Sequence, residues 1–474
     1  MKYEAVIGLE THVQLKTRTK MWCGCVNEFG AEPNSNVCPV CLGFPGVLPV
    51  ANAEALRLTA LAGFLLNCEG AGFAKGGRKN YFYPDNPKNY QITQLDFPSN
   101  ICGRVDFELN GDLSQVCITR AHLEEDVGKS FHFGDCSGLD FNRAGVPLLE
   151  IVSEPDINSA DMAYEYLNAL KRILEYGGVS DCDMEKGQVR CDVNVSVRPV
   201  GEIELGAKIE IKNMNSFSGV RRALQHEIPR QIDVIQNGGT LVQETRRWND
   251  DDGITDSMRT KEDAHDYRYI PDPDLMPHTP TEEWLAHVKE CMVELPLARK
   301  QRLMAEYQLP ECDADVLVAD STLADYFEIA AKGVENPKTV ANWIINNLQA
   351  KLTESETSLA DVKFTHAGFS ELVGFVESGK INSKIAQEVF GEMFSTGKTP
   401  AEIVKDKGLS QVSDMGELER LCKETIEAHP GPSEDYRKGK EAALNFLKGQ
   451  VMKASRGKAN PQMVGDLLKK ILTG

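Results

Sequence analysis

Between Gln188 and Arg198 the chain alternates strictly. Val189, Cys191, Val193, Val195 and Val197 fall on one side of an extended backbone, and Arg190, Asp192, Asn194, Ser196 and Arg198 fall on the other. This is the pattern of a strand with one dry face and one polar face. Lys208–Lys212 repeats it in short form, with Ile209 and Ile211 inward and Lys208, Glu210 and Lys212 outward. If the two strands pair, Arg190, Asp192, Asn194, Ser196 and Lys212 become one wall of cations, carboxylates and amides. A fold for this chain must therefore bury the first face and leave the second to a ligand or to solvent.

Strand-like alternation recurs at Tyr3–Ile7, His12–Lys16, Arg104–Leu109 and Gln115–Arg120, whereas 54–66 and 162–174 read as helices. Asn158 and Ser159 are cap candidates for the second helix. Runs of strands with few helices between them predict an antiparallel α+β sheet, not a doubly wound one. At 474 residues the chain exceeds one core, and three domains are expected. These are an α+β sheet cradle over 1–292, an all-α domain over 293–406 and a small helical tail over 407–474. Pro271-Asp-Pro-Asp274 and Pro277–Pro280 mark the exit from the first. Helices are expected at Leu317–Lys332, Lys338–Leu352 and Phe369–Ser378, then at Gly439–Lys453 and Pro461–Leu472 in the tail. A net charge of −19 argues against coating nucleic acid wholesale, but Gly431–Gly474 carries nine Lys/Arg against four Asp/Glu, a local basic site. With no bilayer-length apolar run, no signal-peptide pattern and thirteen mostly scattered cysteines, the expected setting is the reducing cytoplasm, without membrane contact.

Chemistry concentrates in Arg78–Gln91, where Lys79, Tyr81, Asp85, Lys88 and several amides sit among two prolines. No period of 2 or 3.6 runs through it. It reads as a rigid loop of consecutive turns suited to an anionic ligand with a planar part. Cys23-Gly-Cys25 and Cys38-Pro-Val-Cys41, twelve residues apart, can close a tetrahedron around zinc. Four sulfur ligands leave no open position, so that zinc is structural. Glu10 and His12, two apart, together with His122-Leu-Glu-Glu125-Asp126 and the acid at Glu150, offer oxygen and imidazole donors for Mg²⁺ beside phosphate.

Two absences narrow the chemistry. Gly128-Lys129-Ser130 ends like a P-loop, but Leu123 stands where its first glycine is required, so no backbone nest cradles phosphate there. There is no G-x-S-x-G elbow and no adjacent pair of serines for an amidase centre. A reaction that needs ammonia would have to receive it from another protein.

Several stretches together carry a resemblance. Val6–Leu15, Pro45–Pro49, Arg78–Gln91, Thr119–Asp126, Asn142–Pro155, Cys191–Arg198, Lys212–Ser216, Glu244–Trp248 and Asp266–Asp274 closely resemble the B subunits of the tRNA-dependent amidotransferases, the GatB family of GatCAB complexes. The likeness extends over the whole chain, including a tail like the family's tRNA-binding domain.

The resemblance implies a ligase that forms carbon–nitrogen bonds with glutamine as amido donor. It converts misacylated Glu-tRNA(Gln) or Asp-tRNA(Asn) to Gln-tRNA(Gln) or Asn-tRNA(Asn). The B subunit would phosphorylate the side-chain carboxylate with ATP, in a heterotrimer with a glutaminase A subunit and a small C subunit. By the same resemblance His12, Glu125 and Glu150 would bind Mg²⁺, with Glu10 beside them and acting with Glu125 in catalysis. Tyr81 and Lys88 would lie at the ammonia channel exit and kinase pocket, and Lys79 and Asp85 on the nucleotide or substrate. The four cysteines look like the zinc site that some members carry. Two rivals are a tRNA-binding scaffold without chemistry and a free-standing ATP-dependent ligase. The acid and cation clusters disfavour the first, and the missing amidase and P-loop motifs the second.

Overall fold

The computed structural model describes residues 2–260, 267–409, 415–455, 459 and 461–473. β1 (Tyr3–Gln14) is a single twelve-residue strand, where alternation had marked only its two ends. Gly8 and the polar Glu10 and Thr11 hide the pattern in the sequence, yet Ile7, Leu9, Thr11 and Val13 are all buried on one side. There follow α1 (Ala53–Leu65), β2 (Glu69–Gly70), β3 (Lys75–Asn80), β4 (Tyr90–Phe97), β5 (Asn100–Leu109) and β6 (Asp112–Glu125). β7 (Lys129–Phe133) and β8 (Cys136–Asp140) form a separate hairpin. Lys129 thus opens a strand and not the helix a P-loop requires.

Next come β9 (Pro147–Ser153), α2 (Ala160–Tyr176), β10 (Val189–Pro199), β11 (Ile209–Lys212), α3 (Phe217–Gln236), β12 (Glu244–Asn249), β13 (Ile254–Thr260) and β14 (Ile270–Pro271). They build one twelve-stranded sheet in the order β13-β12-β11-β10-β1-β9-β6-β4-β3-β14, with β5 beside β6 and β2 beside β5. Every described pairing is antiparallel except β11 with β12. β10 and β11 do pair, Val193 opposite Ile211.

Helices α1, α2 and α3 supply the apolar cover. Leu58, Leu61, Tyr166, Leu170, Val220 and Leu224 share one core with Ile7, Leu9, Val13, Leu149, Val193 and Val195. Ser159, not Asn158, caps α2: its side chain accepts from the Met162 N–H. α3 runs through Pro229, which by composition argues against a helix there.

Three local expectations are corrected. Arg78–Gln91 is not all loop, because Lys75–Asn80 and Tyr90–Phe97 are paired strands and only the turns between them are irregular. Polar residues on both faces of β3 conceal its period. Pro271–Asp274 is not an exit: Ile270 and Pro271 pair with Arg78 and Gly77, and the fully buried Asp272 carboxylate accepts from Arg78 Nε at 2.7 Å. The first unit continues through α4 (Glu282–Lys289), and the chain divides by contacts into Met1–Ala298 and Arg299–Gly474.

The second unit is helical, from α5 (Pro296–Tyr307), which spans the division, onward. The helix expected at Leu317–Lys332 is two, α6 (Glu311–Val318) and α7 (Ser321–Ala331), because Asp320 caps the latter through Thr322 N–H at 2.7 Å. Residues 337–354 are α8 (Pro337–Trp343), a π turn over Ile344–Leu348 and α9 (Gln349–Glu354). α10 (His366–Glu377), α11 (Ser383–Thr396) and α12 (Pro400–Asp406) complete a core from Leu303 to Val404. A further core joins four helices, not two: α13 (Met415–Ala428), α14 (Pro430–Arg437), α15 (Ala442–Ala454) and α16 (Pro461–Thr473). The prolines of α14 lie in its first turn, where no intrahelical N–H is lost.

Because Asp272 closes the sheet, Asp272→Ala should lower the stability of the first unit by roughly 2–3 kcal/mol, below the roughly 3–5 of a fully buried pair since Arg78 keeps Asp274. Thermal unfolding of the purified chain reads this, and an unchanged midpoint would return the segment to a linker.

Candidate functional site: a row of acids and imidazoles across the sheet

Register creates the site. His12 lies opposite Arg190 on one side and Glu150 on the other, and Glu150 lies opposite His122. Residues opposite one another share a face. Arg190, His12, Glu150 and His122 therefore form one row across β10, β1, β9 and β6, on the face away from the helices. One row over, Asp192 stands opposite Glu10. Glu124 stands two residues from His122, on the same face of β6.

The distances are close. His12 Nε2 is 3.3 Å from Glu150 Oε2 and 3.7 Å from Glu10 Oε1. His122 Nε2 is 3.5 Å from Glu124 Oε1 and 3.7 Å from Glu150 Oε2. Glu150 thus bridges two groups, Glu10–His12–Glu150 and His122–Glu124–Glu150, each with ligand atoms mutually within 4.8 Å and each able to hold a metal ion. Burial and the charge of Glu150 raise the Glu10 pKa, against the pull of His12. Burial opposes charge on His12, but its bond to Glu150 and the surrounding carboxylates raise its pKa overall. Burial likewise opposes ionisation of Glu124, and the His122 bond and Lys79 overcome it.

Glu125 is not part of this row, contrary to the grouping with His12 and Glu150. It alternates with Glu124 and so shares the face of buried Leu123. There it pairs with Lys88 and accepts from the Ile92 N–H at 2.9 Å. The same alternation splits the 78–91 segment. Arg78 stacks over Tyr90, 4.3 Å from the ring centroid, on the Glu125 side with Lys88. Lys79 sits over Tyr267 and senses Glu124 and Glu150, and Tyr81 meets Tyr267 edge-on. Burial, then Asp85, raises the Tyr81 pKa. β4 and β6 share only the Thr93–Glu124 pair, and beyond it the side chains of Glu125 and Gln91 bridge the strands.

The β10 wall forms as expected, but its members are engaged. Arg190 donates to Asp126 at 2.7 Å, and Lys212 pairs with Asp192 and with Glu210 at 3.1 Å. Ser196 is buried, and Asn194 Oδ1 is buried without a hydrogen-bond partner among the described residues. Asp126 also accepts from Gln14 at 2.9 Å and the Val127 N–H at 2.9 Å. Asp85 lies against this cluster; burial raises its pKa and Arg143 opposes. Glu244–Trp248 serves packing instead: Arg246 donates to Glu244 and Thr255 beside buried Glu227. Asp266 lies outside the described residues.

Cys23, Cys25, Cys38 and Cys41 come together with sulfurs within 4.8 Å. The Cys38 N–H donates to Cys41 Sγ at 3.1 Å. The Cys23 hydrogen bond, more than any other contact, lowers the Cys41 pKa, to about 4. Gly43, at φ +68°, lies so close to Lys88 that a Cβ would come within 2.9 Å of Lys88 Cα. Between this segment and Lys88, Tyr90 and Glu125 lies a cavity of about 200 Å³.

His122, Glu124 and Asp126 are the site residues that sequence reasoning left out of its assignments. The signal was available: Leu123 is apolar between them, so parity assigns His122 and Glu124 to the polar face and Glu125 to the other.

Residues 5–286 match the family described as the GatB/GatE catalytic domain, and residues 325–472 match the GatB domain family. Proteins named as the B subunit of aspartyl/glutamyl-tRNA(Asn/Gln) amidotransferase are similar throughout. That of Caldanaerobacter subterraneus subsp. tengcongensis is 52% identical over 474 residues, covering 100% of each chain. That of Methylacidiphilum infernorum is 54% identical over 484 residues, covering 100% of this chain and 99% of its own.

Asp126 gives a signed pH test. Burial opposes its charge, but Arg190, Arg143 and Gln14 hold its pKa below the ordinary 3.8. The stability it contributes is complete above 3.8 and lost as pH falls through the lowered value. Asp126→Asn should cost about 2 kcal/mol near neutrality, the scale of hydrogen bonds to a charged group, with the gap from wild type closing in acid. Melting curves across pH check it.

Proposed function

The chain belongs to the GatB family, and on that premise we propose that it is the B subunit of an aspartyl/glutamyl-tRNA amidotransferase and carries its kinase step. The observation that supports this is the cross-sheet row of carboxylates and imidazoles ringed by Lys79, Arg190 and Lys212. Glu10, His12 and Glu150 would hold Mg²⁺, with Glu124 and His122 on the far side of Glu150. The ion would neutralise phosphate oxygens there. A carboxylate becomes a substrate for ammonia only when one oxygen is made a leaving group. Transfer of the ATP γ-phosphoryl to the side-chain carboxylate of Glu-tRNA(Gln) or Asp-tRNA(Asn) does this, with ADP departing. Ammonia then attacks the acyl carbon, inorganic phosphate leaves, and a proton is released.

This division of labour asks the protein for position and charge more than for a nucleophile. Lys79, Arg190 and Lys212 would steady anionic oxygens, with Asp192, Asn194 and Ser196 lining the same wall and Asp85 beside it. On the other face Lys88 and Glu125 stand where β4 and β6 share a single pair, with Tyr81 across from them beside Tyr267. We assign them to the arrival of ammonia, Glu125 accepting the released proton. The ammonia would come from a glutaminase A subunit, with a small C subunit completing the heterotrimer. The cysteines would hold a structural zinc. No described helix is long and apolar enough to cross a membrane, and the cytoplasm is the proposed setting. A scaffold without chemistry would leave the buried acid row without a purpose.

The test is ATP turnover and product formation by the assembled complex with misacylated tRNA. Glu150→Gln should lower tRNA-dependent phosphorylation by roughly a hundredfold or more. Lys88→Met should retain phosphorylation and lose amidation. Wild-type phosphorylation in Glu150→Gln would remove the kinase assignment.

The tail carries a separate expectation. Lys448 and Lys453 on α15 and Lys469 and Lys470 on α16 supply cations for phosphate. Removing residues from about 410 onward should weaken tRNA binding and flatten its salt dependence through lost counterion release. Equal affinity at every salt concentration would reduce the tail to solvated helices.

A further inference from the structure

Lys20 presents a problem of charge. It is the most completely buried lysine among the described residues, at 0% exposure. Its ammonium touches two groups, Phe141 O at 3.2 Å and Cys41 Sγ at 3.7 Å. Among the described residues no carboxylate pairs with it; Glu125, on the same wall, engages Lys88 and the Ile92 N–H through Oε1. An ammonium enclosed without an anion is strongly disfavoured. The group placed to balance it is Cys41 Sγ, the sulfur that its ammonium faces.

A metal–thiolate centre supplies the negative charge. Four thiolates around a dication leave two surplus negative charges. The Cys38 N–H offsets part of this at Cys41, the most buried of the four sulfurs. We propose that Lys20 is the charge-compensating partner of that centre, donating to Cys41 Sγ and cancelling one surplus charge while its bond to Phe141 O ties the centre to the loop before β9. The inference rests on the zinc reading above. The backbone around Lys20 supports the same role. Lys20 N–H donates to Cys25 O at 2.9 Å, and Met21 N–H to Gly145 O at 2.7 Å. A Cβ at Gly145 would lie 3.6 Å from Cys41 Cβ and 3.9 Å from Glu125 Oε2. Lys20 is thus a positioning residue between the cysteine lobe and the wall that carries Glu125.

The experiment uses the full-length chain and zinc alone as probe. Metal content and chelator competition are measured for wild type, Lys20→Met, Lys20→Gln and, as control, Cys41→Ser. Wild type should hold stoichiometric zinc and Cys41→Ser should lose it. Both Lys20 variants should bind zinc at least about tenfold more weakly, the usual scale for a partner outside the ligands. Stripped of zinc, Lys20→Met should lose less stability relative to stripped wild type than it loses with zinc bound, because the surplus charge that Lys20 offsets is then gone. Lys20→Gln keeps a donor for Phe141 O without the charge, and wild-type zinc affinity in it would overturn the proposal. So would a zinc-free Lys20→Met that loses as much stability as its zinc-bound form, since the Phe141 bond would then be the whole role. A wild-type chain that takes up no zinc at all would overturn the metal reading itself.

Discussion

β1 has a hydrogen-bonded neighbour on each side, and its two registers decide which side chains in this protein can meet. Against β10 it sets His12 beside Arg190 and Glu10 beside Asp192; against β9 it sets His12 beside Glu150. A slip of one residue on either side would turn the acids and imidazoles into the helix-covered core and expose Ile7, Leu9 and Val13. Hydrophobic burial on one face therefore enforces the polar arrangement on the other. The helices make no contribution to the chemistry of the row beyond holding that choice.

Buried charge on the polar face is tolerated because it is shared. Glu150 has a histidine on either side, Glu124 has His122 and Lys79, and Asp126 has Arg190, Gln14 and Arg143. None of these acids is enclosed without a donor, which is the condition for keeping ionised groups out of water.

Where β4 and β6 share a single pair, the sheet separates two kinds of surface. On one side stand Glu124, Glu150 and Lys79, on the other Lys88, Glu125 and the cysteine segment. Gly43 lets that segment approach Lys88 backbone to backbone, so whatever holds the cysteines also holds Lys88. The cysteine cluster and Lys88 thereby belong to one wall.

Local pattern was sufficient for much of this. The alternation of Val189–Val197 defined β10 and its polar wall, the spacing of four cysteines defined their cluster, and the motifs from Val6 to Asp274 carried the family. What periodicity could not reach were segments whose two faces are both polar, such as Lys75–Asn80, and short pieces recruited as sheet edge, such as Ile270–Pro271. Nor could spacing tell Glu124 from Glu125. In sequence the two acids are adjacent and equivalent; in the sheet they point to opposite faces, one toward the imidazoles and one toward Lys88. The sequence by itself determined which residues are apolar and which can carry charge. Only strand pairing decided which charges share a face, because that depends on register with partners 180 residues away and more and not on any neighbour along the chain.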